Sequence, residues 1–331
     1  MAQVAERAGV SRTLVSFILD GKPGASDETR QRVLAVAEEL GYRPDSAARV
    51  LAQGRSRTLG VLMDVQQLHQ AAMVTSIYPA AEKRGYEVLL SANLPDKPEA
   101  HSIDALLAHR CGALILLGPG SSSEYLSDLS QRAPTVVVGE RLPERASEIP
   151  LATVRTDDVT GMRMAVDYLV ELGHRDITHV DGGGDPGSDD RRDAYRQAMR
   201  DNDLADHITE VPGAHNEAAG ADAGRAIMAG AALPTAILAG NDRCAFGLLD
   251  VLSRGGLDVP GDISLMGYDD SLLSDNPRID LTTIHQDPHE LACRAVDFAV
   301  DLLEETARDS YDIVLEPSLK VRGTTGAPRP V

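Results

Sequence analysis

From Leu59 onward the sequence alternates between short runs of apolar residues and longer segments with the spacing of amphipathic helices. Strands that are apolar at every position are buried on both faces, and helices between such strands favour parallel sheets. The alternation occurs twice, once up to Val138 and again from Ala165. It predicts an α/β fold with two lobes, each built on a doubly wound parallel sheet. The predicted strands are Leu59–Met63, Val88–Ser91, Ala113–Leu117, Thr135–Val138, Ile177–Val180, Ala236–Leu238 and Ile263–Met266. The predicted helices run through Ala80 to Gly85, then Ile103–His109, Ala165–Leu172, Arg191–Arg200, Ala218–Ala229 and Ala245–Ser253.

Polar residues follow several of these strands at the point where each strand ends. Because ligands of parallel sheets bind at the carboxyl ends of the strands, these residues predict a small-molecule site in the cleft between the lobes. They are Asp64, Asn241-Asp242, Tyr268-Asp269-Asp270, and Gln286-Asp287 after the segment 281–284. A structural alternative stays open for two of them, since Asp64 can cap a helix and Asn241 can shape a turn.

Composition narrows the class of protein. With 43% apolar and 25% charged residues among 331, the chain is predicted to be a globular protein of two or three compact units. No apolar run is long enough for a membrane span, and the N-terminus has no secretory-signal pattern. The three cysteines (Cys111, Cys244 and Cys293) lack metal-site spacing and are predicted to be reduced core thiols. We therefore expect a cytoplasmic protein without membrane contact, metal or cofactor.

The charge is distributed unevenly along the chain. Residues 1–58 hold nine Lys/Arg against seven Asp/Glu, a net charge of +2, whereas the remainder holds 23 against 44, a net charge of −21. Because phosphate repels an acidic body, a nucleic acid is expected to meet only the N-terminal end.

Residues 1–19 carry a helix-turn-helix pattern. Ala5, Gly9 and Val15 supply a small residue for a close helix crossing, a turn glycine and an apolar seal, in the spacing A-x3-G-x5-V. Ser11 is placed to cap a second helix that ends near Leu19. The pattern is short, and a three-helix bundle that binds nothing is the structural alternative.

A third helix is predicted to begin at Ser26 and to stop at Gly41. After Pro44, the segment Asp45–Ala52 predicts a turn or two of helix, or an ordinary linker. These features divide the chain into a head (1–44), a hinge (45–58) and a body (59–331). Within the body, the N-lobe is expected at about 59–155 and 286–314, and the C-lobe at about 156–285 and 315–331.

Motifs throughout the chain resemble the lactose/galactose repressor (LacI/GalR) family of bacterial transcriptional regulators. Those in the head are Val4-Ala5-x3-Gly9-Val10-Ser11, Thr29-Arg30-x-x-Val33, Leu40-Gly41-Tyr42-x-Pro44 and Ala48-Arg49-x-Leu51. Those in the body are Asp157-Asp158-x-x-Gly161, Leu172-Gly173-His174, Arg191-x3-Tyr195, Asn241-Asp242, Gly267-Tyr268-Asp269-Asp270 and Leu281-Thr282-Thr283-Ile284-x-Gln286.

The resemblance implies that the second helix enters the major groove of double-stranded operator DNA. It implies that Arg12 and Thr13 read bases, that Ser11 and Ser16 contact phosphate, and that hinge residues Arg49 and Leu51 bind DNA, with Leu51 as a minor-groove wedge. Phe17 departs from the family, which often has an arginine there; a phenylalanine can touch a thymine methyl but cannot bind guanine bidentately. Only three residues precede Val4, so either the first helix is frayed or the true start lies upstream.

The resemblance also implies a sensor that is similar to a periplasmic sugar-binding protein. The implied effector contacts are Asp64, Arg191, Asn241, Asp269 and Gln286, with His215 where relatives often have an aromatic residue that stacks on the sugar. For Arg191, a surface ion pair with Asp189 or Asp190 is the alternative. The segment 181–185 lacks the phosphate-loop pattern and is predicted to be a flexible strand-end loop.

These expectations describe a homodimeric regulator, most simply a repressor, whose operator affinity is controlled by a small molecule such as a sugar. The alternatives are a sugar-binding sensor or an enzyme with no operator-specific role, and a transport binding protein. An enzyme is disfavoured because the sequence has no nucleophile elbow, no metal spacing and no dinucleotide fingerprint. A dimer is favoured over a tetramer because no leucine heptad follows the body.

Overall fold

The computed structural model describes residues 1–19, 22–42, 56–94, 96–142, 151–306 and 310–329. The chain divides into two compact units, Met1–Arg57 and Thr58–Val331. The predicted hinge segment Asp45–Ala52, including Arg49 and Leu51, lies outside the described residues.

The first unit contains three helices: α1 (Ala2–Ala8), α2 (Arg12–Leu19) and α3 (Asp27–Glu39). They pack around a small apolar core in which Val4, Val15 and Val33 are fully buried. Gly9 has φ +68°, a left-handed conformation that costs glycine no steric strain, and this allows the tight turn between α1 and α2. The predicted helix-turn-helix is confirmed.

The predicted helix ends of this unit are also present. Ser11 Oγ accepts a hydrogen bond from the Leu14 amide (3.1 Å), and Ser26 Oγ accepts one from the Thr29 amide (3.3 Å). Gly41, with φ +57°, follows the C-terminal end of α3. No side chain caps the start of α1.

The second unit contains two six-stranded sheets and eight α-helices among the described residues. The strands are β1 (Thr58–Asp64), β2 (Glu87–Asn93), β3 (Ala113–Leu117), β4 (Thr135–Val138), β5 (Ala152–Thr156), β6 (Ile177–Val180), β7 (Thr209–Val211), β8 (Ala236–Ala239), β9 (Ser264–Asp269), β10 (Thr282–His285), β11 (Asp312–Leu315) and β12 (Ser318–Lys320). The helices are α4 (Leu68–Lys83), α5 (Glu99–Ala108), α6 (Ser123–Arg132), α7 (Asp158–Glu171), α8 (Ser188–Asp201), α9 (Glu217–Met228), α10 (Asp242–Arg254) and α11 (Pro288–Leu303).

The first sheet has the order β11-β5-β4-β3-β1-β2 and the second β12-β10-β9-β8-β6-β7. All described pairings are parallel except that of β12, which joins the second sheet antiparallel to β10. The N-lobe sheet is completed by β11, so the chain returns to it after building most of the C-lobe. The sequence alone predicted a wholly parallel sheet. The second sheet is instead mixed, because its edge strand β12 is antiparallel.

Both faces of each sheet are covered by helices. In β3, alternate residues such as Ile115 pack towards α4 and α11, while Leu114 and Leu116 pack towards α5 and α6. In the second sheet, one face meets α7 and α8 and the other meets α9 and α10. This three-layer arrangement explains the continuous apolar runs, because neither face of these strands meets water.

Four details differ from the sequence predictions. Asp64 and Asp269 lie at the last positions of β1 and β9, not after them, because the ladders extend to Asn93 of β2 and His285 of β10. Cys111 and Cys244 are buried free thiols, but Cys293 is only half-buried on α11 and is not a core thiol. The 181–185 loop packs closely against its neighbours, since Asp185 Oδ2 accepts a hydrogen bond from the His215 amide (2.5 Å).

Several elements were not predicted, namely α6, α11, β5, β7, β11 and β12. None of the described helices combines the length and the apolar composition of a membrane span.

Candidate DNA-binding and effector sites

The second helix of the head presents a polar, exposed face. Arg12 and Thr13 are exposed, Ser16 is half-buried, and Phe17 is 42% exposed although it is a large apolar residue. The Lys22 ammonium lies 5.5 Å from the centre of the Phe17 ring. Val15 and Ile18 point the other way into the core, so this face takes no part in the apolar core of the head.

The arginines of the head differ in what they contact. Arg30 donates to the carbonyl oxygens of Ile18 (3.3 Å) and Lys22 (2.7 Å), and Arg32 donates to that of Ala8 (3.1 Å), so both stabilise the helix packing. Arg12 has no hydrogen-bond or ion-pair partner in the part of the chain that the structure describes. Its five donors are therefore available to an external acceptor.

A cavity of about 190 Å³ lies in the second unit at the carboxyl ends of the strands, where the two lobes meet. All six residues predicted from the sequence as effector contacts line it: Asp64, Arg191, His215, Asn241, Asp269 and Gln286. Whether they bind an effector stays a prediction. A wider pocket of about 590 Å³ adjoins the cavity and shares Asp64, Gln67 and His215 with it.

Arg191 is the central cation of the cavity. It is buried, and its Nε donates to Asp158 Oδ1 (3.0 Å) while Nη1 donates to the Gly240 carbonyl oxygen (2.9 Å). Its guanidinium carbon lies 3.9 Å from the centre of the Tyr268 ring. Burial opposes the positive charge, but the carboxylates of Asp158 and Asp269 outweigh burial and raise the pKa of Arg191.

This geometry excludes one of the two interpretations of Arg191, the surface ion pair. Arg191 does not pair with Asp189 or Asp190; Asp189 pairs with the neighbouring Arg192, which also donates to Asp181 (3.0 Å). The surface ion pair considered for Arg191 is therefore wrong, because α8 turns that side chain inward.

Asp269 lies opposite Arg191, with 3.9 Å between Asp269 Oδ1 and Arg191 Nη1. The same Oδ1 accepts a hydrogen bond from Gln286 Nε2 (2.8 Å). Burial raises the pKa of Asp269 to about 6, against the opposing effect of Arg191. Its φ of +119° is unusual for a residue with a Cβ, and such strained backbone is concentrated at functional sites.

The structural alternatives for Asp64 and Asn241 are both present. Asp64 Oδ1 accepts a hydrogen bond from the Gln66 amide (2.8 Å), and Asn241 Oδ1 caps α10 by accepting one from the Cys244 amide (2.9 Å). Each contact uses only one side-chain oxygen. Among the residues that the structure describes, the second oxygen of Asp64 and the amide nitrogen of Asn241 have no partner and are available to a ligand.

Two histidines in the cavity wall are uncharged at neutral pH. Burial, aided by the charge of Arg191, lowers the pKa of His215 to about 3 and that of His69 to about 4. His215 Nε2 lies 3.4 Å from Ser188 Oγ, and its carbonyl oxygen accepts a hydrogen bond from Gln67 Nε2 of the other lobe (3.2 Å).

Comparisons with known proteins agree with this architecture. Residues 1–45 match the family model described as "Bacterial regulatory proteins, lacI family", and residues 166–325 match the periplasmic binding protein-like domain. The regulator GalR of Escherichia coli is 30% identical over 98% of this chain and 95% of its own length. The chain belongs to the LacI family.

Solved structures of LacI-family regulators share the fold of this one. A LacI transcriptional regulator from a Rhodococcus species is 43% identical, covers 82% of this chain and 100% of its own, and has a TM-score of 0.77. The lac repressor dimer bound to operator and the anti-inducer ONPF is 29% identical over 98% of both chains, with a TM-score of 0.84. As a LacI-family member, this chain is a DNA-binding transcriptional regulator and not an enzyme.

The sequence did not single out several residues that shape the LacI-family cleft of this protein. His69, Gln70, Asn93 and Asp185 line the cavity, and Asp158 holds Arg191 from α7. Gly161 belongs to the same group, because a Cβ there would lie 2.4 Å from the Tyr268 hydroxyl and displace the ring beneath Arg191. The spacing Asp157-Asp158-x-x-Gly161 was noticed, but a pattern on one helix does not reveal what that helix packs against.

Proposed function

We propose that this LacI-family regulator binds operator DNA as a homodimer, and that a sugar held in the cleft controls its affinity for the operator. The convergence of the six predicted effector residues on one interlobe cavity carries the sensor part of the proposal. With DNA as its target, the protein acts in the cytoplasm.

The DNA-binding part rests on the exposed face of α2. Arg12 and Thr13 lie at the N-terminal end of this helix, the end from which a recognition helix reaches base edges. Residues 1–58 carry a net charge of +2 and the rest of the chain carries −21, so negatively charged DNA is attracted to this unit. The lac repressor structure that this chain resembles along 98% of its length is a dimer bound to operator.

The sensor part rests on the chemistry of the cavity wall. Carboxylates, amides and one guanidinium offer donors and acceptors in fixed positions, which suits vicinal hydroxyl groups. Arg191, Asp269 and Gln286 are already held in place by Asp158, Tyr268 and one another. Such preorganisation reduces the entropy lost on binding.

A thermal-shift screen of the full chain against a panel of neutral sugars tests the sensor. A sugar at a hundred times its Kd should stabilise the protein by about 2.7 kcal/mol. The shift should disappear in Arg191→Ala and weaken in Arg191→Lys, whereas the adjacent surface variant Arg192→Ala should keep it. A shift of unchanged size in both Arg191 variants would exclude the cavity as the sugar site.

Selection of genomic fragments at moderate salt tests the operator. We expect enrichment of palindromic sites. The mass of the complex in solution should correspond to two protein chains on each operator site. The absence of any sequence preference would contradict the operator proposal even if sugars bind.

A further inference from the structure

We propose that the cleft selects an uncharged, hydroxyl-rich molecule of about monosaccharide size and discriminates against the same molecule bearing a phosphate or a carboxylate. This inference rests on the proposed sugar-sensing function and specifies the class of effector. Four features of the described residues lead to it.

The first feature is the charge of the cavity wall. Arg191 is the only cationic side chain among the described residues that line the cavity, whereas three carboxylates, those of Asp64, Asp185 and Asp269, line it. Arg191 is already paired with Asp158 at 3.0 Å and faces Asp269 at 3.9 Å. An anionic group would therefore find no uncompensated cation and would meet surplus negative charge.

The second feature is the state of the helix N-termini at the cleft, which are potential anion sites. The N-terminus of α4 has no acidic residue in its first turn, but the carboxylate of Asp64, four residues before this helix, lines the same cavity. The N-termini of α8 and α10 carry carboxylates of their own. The first turn of α8 already contains Asp189 and Asp190. The N-terminus of α10 is capped by Asn241 and contains Asp242 in its first turn. Both helix dipoles are thus compensated by carboxylates of the chain itself.

The third feature is the set of hydrogen-bonding atoms without an internal partner in the described part of the chain. Gln70 Oε1 accepts from the Asp64 amide (2.7 Å), which leaves Nε2 as a donor. Gln286 donates through Nε2 to Asp269 Oδ1, which leaves Gln286 Oε1 and Asp269 Oδ2 as acceptors. Such a mixture of donors and acceptors suits hydroxyl groups, because a hydroxyl both donates and accepts hydrogen bonds. It does not suit an ionised phosphate, whose oxygens only accept hydrogen bonds.

The fourth feature is the size and mouth of the cavity. Its volume of about 190 Å³ is below that of pockets for drug-sized ligands, which start at about 300 Å³. The adjoining pocket adds Glu99, Lys97 and Arg243. Arg243 is engaged by Glu217, with 2.9 Å between Nε and Oε1. Among the described residues this leaves Lys97 as the one cation of the adjoining pocket without a partner, and a single lysine offset by the Glu99 carboxylate does not form an anion clamp.

Matched pairs of ligands test the inference on the full chain by calorimetry. Suitable pairs are D-glucose and D-glucose 6-phosphate, D-ribose and D-ribose 5-phosphate, and D-galactose and D-galacturonate, with inorganic phosphate alone as a further probe. We expect at least one neutral member to bind, its anionic partner to bind at least about tenfold more weakly, and phosphate alone not to bind.

The double variant Asp64→Asn/Asp185→Asn links the discrimination to the cavity charges. Asparagine keeps an oxygen for the Gln66 and His215 amides, so the fold is retained while two negative charges are removed. The ratio of anionic to neutral affinity should rise several-fold. The matched control Asp222→Asn, on the exposed face of α9 beside Arg225, should leave the ratio unchanged.

The outcomes separate this inference from the function on which it rests. An anionic member that binds as tightly as its neutral partner, or more tightly, would overturn the charge selection but leave a sugar sensor. An unchanged ratio in the double variant would overturn the role of the two carboxylates. If no member of any pair binds, the sugar-sensing function fails and this inference fails with it.

Discussion

At the scale of single residues, the role of a side chain depends on which way its element turns it. Arg191 and Arg192 are neighbours on α8 with the same chemistry. Arg191 is buried against Asp158 and Tyr268, whereas Arg192 is partly exposed and pairs with Asp181 and Asp189. An interpretation from sequence neighbours alone would give both residues the same partners.

Arg12 is predicted to determine operator preference. Its guanidinium has no internal partner in the described residues, and a bidentate contact with a base is worth about 1–3 kcal/mol. Arg12→Ala should lose that amount of operator affinity and relax the sequence preference at one position, while sugar binding stays unchanged. Fluorescence anisotropy with operator and scrambled DNA over a range of salt checks this. Equal losses on both DNAs would assign Arg12 to phosphate instead.

Phe17 is predicted to give this regulator a preference for an A·T pair in each half-site. The exposed ring can contact a thymine methyl, and it has no donors with which to bind guanine. Phe17→Arg should shift the selected base pair towards G·C, whereas Phe17→Leu should retain A·T. Selection from a randomised operator library measures both. The same preferred base in all three proteins would mean that residue 17 does not face the groove.

At the scale of elements, one buried carboxylate joins several segments of the C-lobe. Asp242, at the start of α10, accepts hydrogen bonds from the Ser271 amide (2.7 Å), Ser274 Oγ (2.5 Å) and Thr283 Oγ1 (2.6 Å). It thereby fixes the loop after β9 and strand β10 relative to α10. Because Asp269 is the last residue of β9 and Gln286 follows β10, Asp242 positions cavity residues without itself lining the cavity.

This linkage predicts a pH dependence of stability. Burial, followed by the charge of Asp269, raises the pKa of Asp242 to about 7 from an ordinary value of 3.8. Between these two values the folded state binds more protons than the unfolded state, so the stability contributed by Asp242 falls as the pH rises from about 4 to 7. In Asp242→Asn this contribution is absent. The Tm difference between wild type and variant should therefore shrink or reverse, by about 2 °C or more, from pH 4.5 to pH 7.

Asp250→Asn is the control, because Asp250 is exposed on the same helix and pairs with Arg254. Its Tm should follow the wild-type pH profile. A constant Tm difference between Asp242→Asn and wild type across this range would contradict the raised pKa.

At the scale of the whole molecule, two units with opposite charge perform two tasks. The small basic unit contains α2, the proposed DNA-facing helix, and the acidic unit of 274 residues encloses the cleft. The Gln67–His215 hydrogen bond joins the two lobes across that cleft. A ligand that favours one lobe arrangement can therefore change the energetics of any interaction that depends on it.

Coupling between the sugar site in the cleft and the operator site on the head is predicted to be reciprocal. A sugar from the screen should change operator affinity by about 5–150-fold, and operator DNA should change sugar affinity by the same factor. Calorimetry of sugar binding with and without operator, together with anisotropy of operator binding with and without sugar, gives both factors. Sugar binding that leaves operator affinity unchanged would contradict control by the cleft.

The sequence alone determined the two-lobed α/β plan, the head and six of the residues that line the interlobe cavity. These follow from local signals: apolar runs for buried strands, caps such as Ser11 and Ser26, and polar residues near strand ends. Only the tertiary structure decided that Arg191 pairs with Asp158, that Gly161 makes room for Tyr268, and that β12 lies antiparallel to β10. Each of these joins residues that are distant in the chain, and the one-dimensional pattern does not record which surfaces meet when helices cover both faces of a sheet.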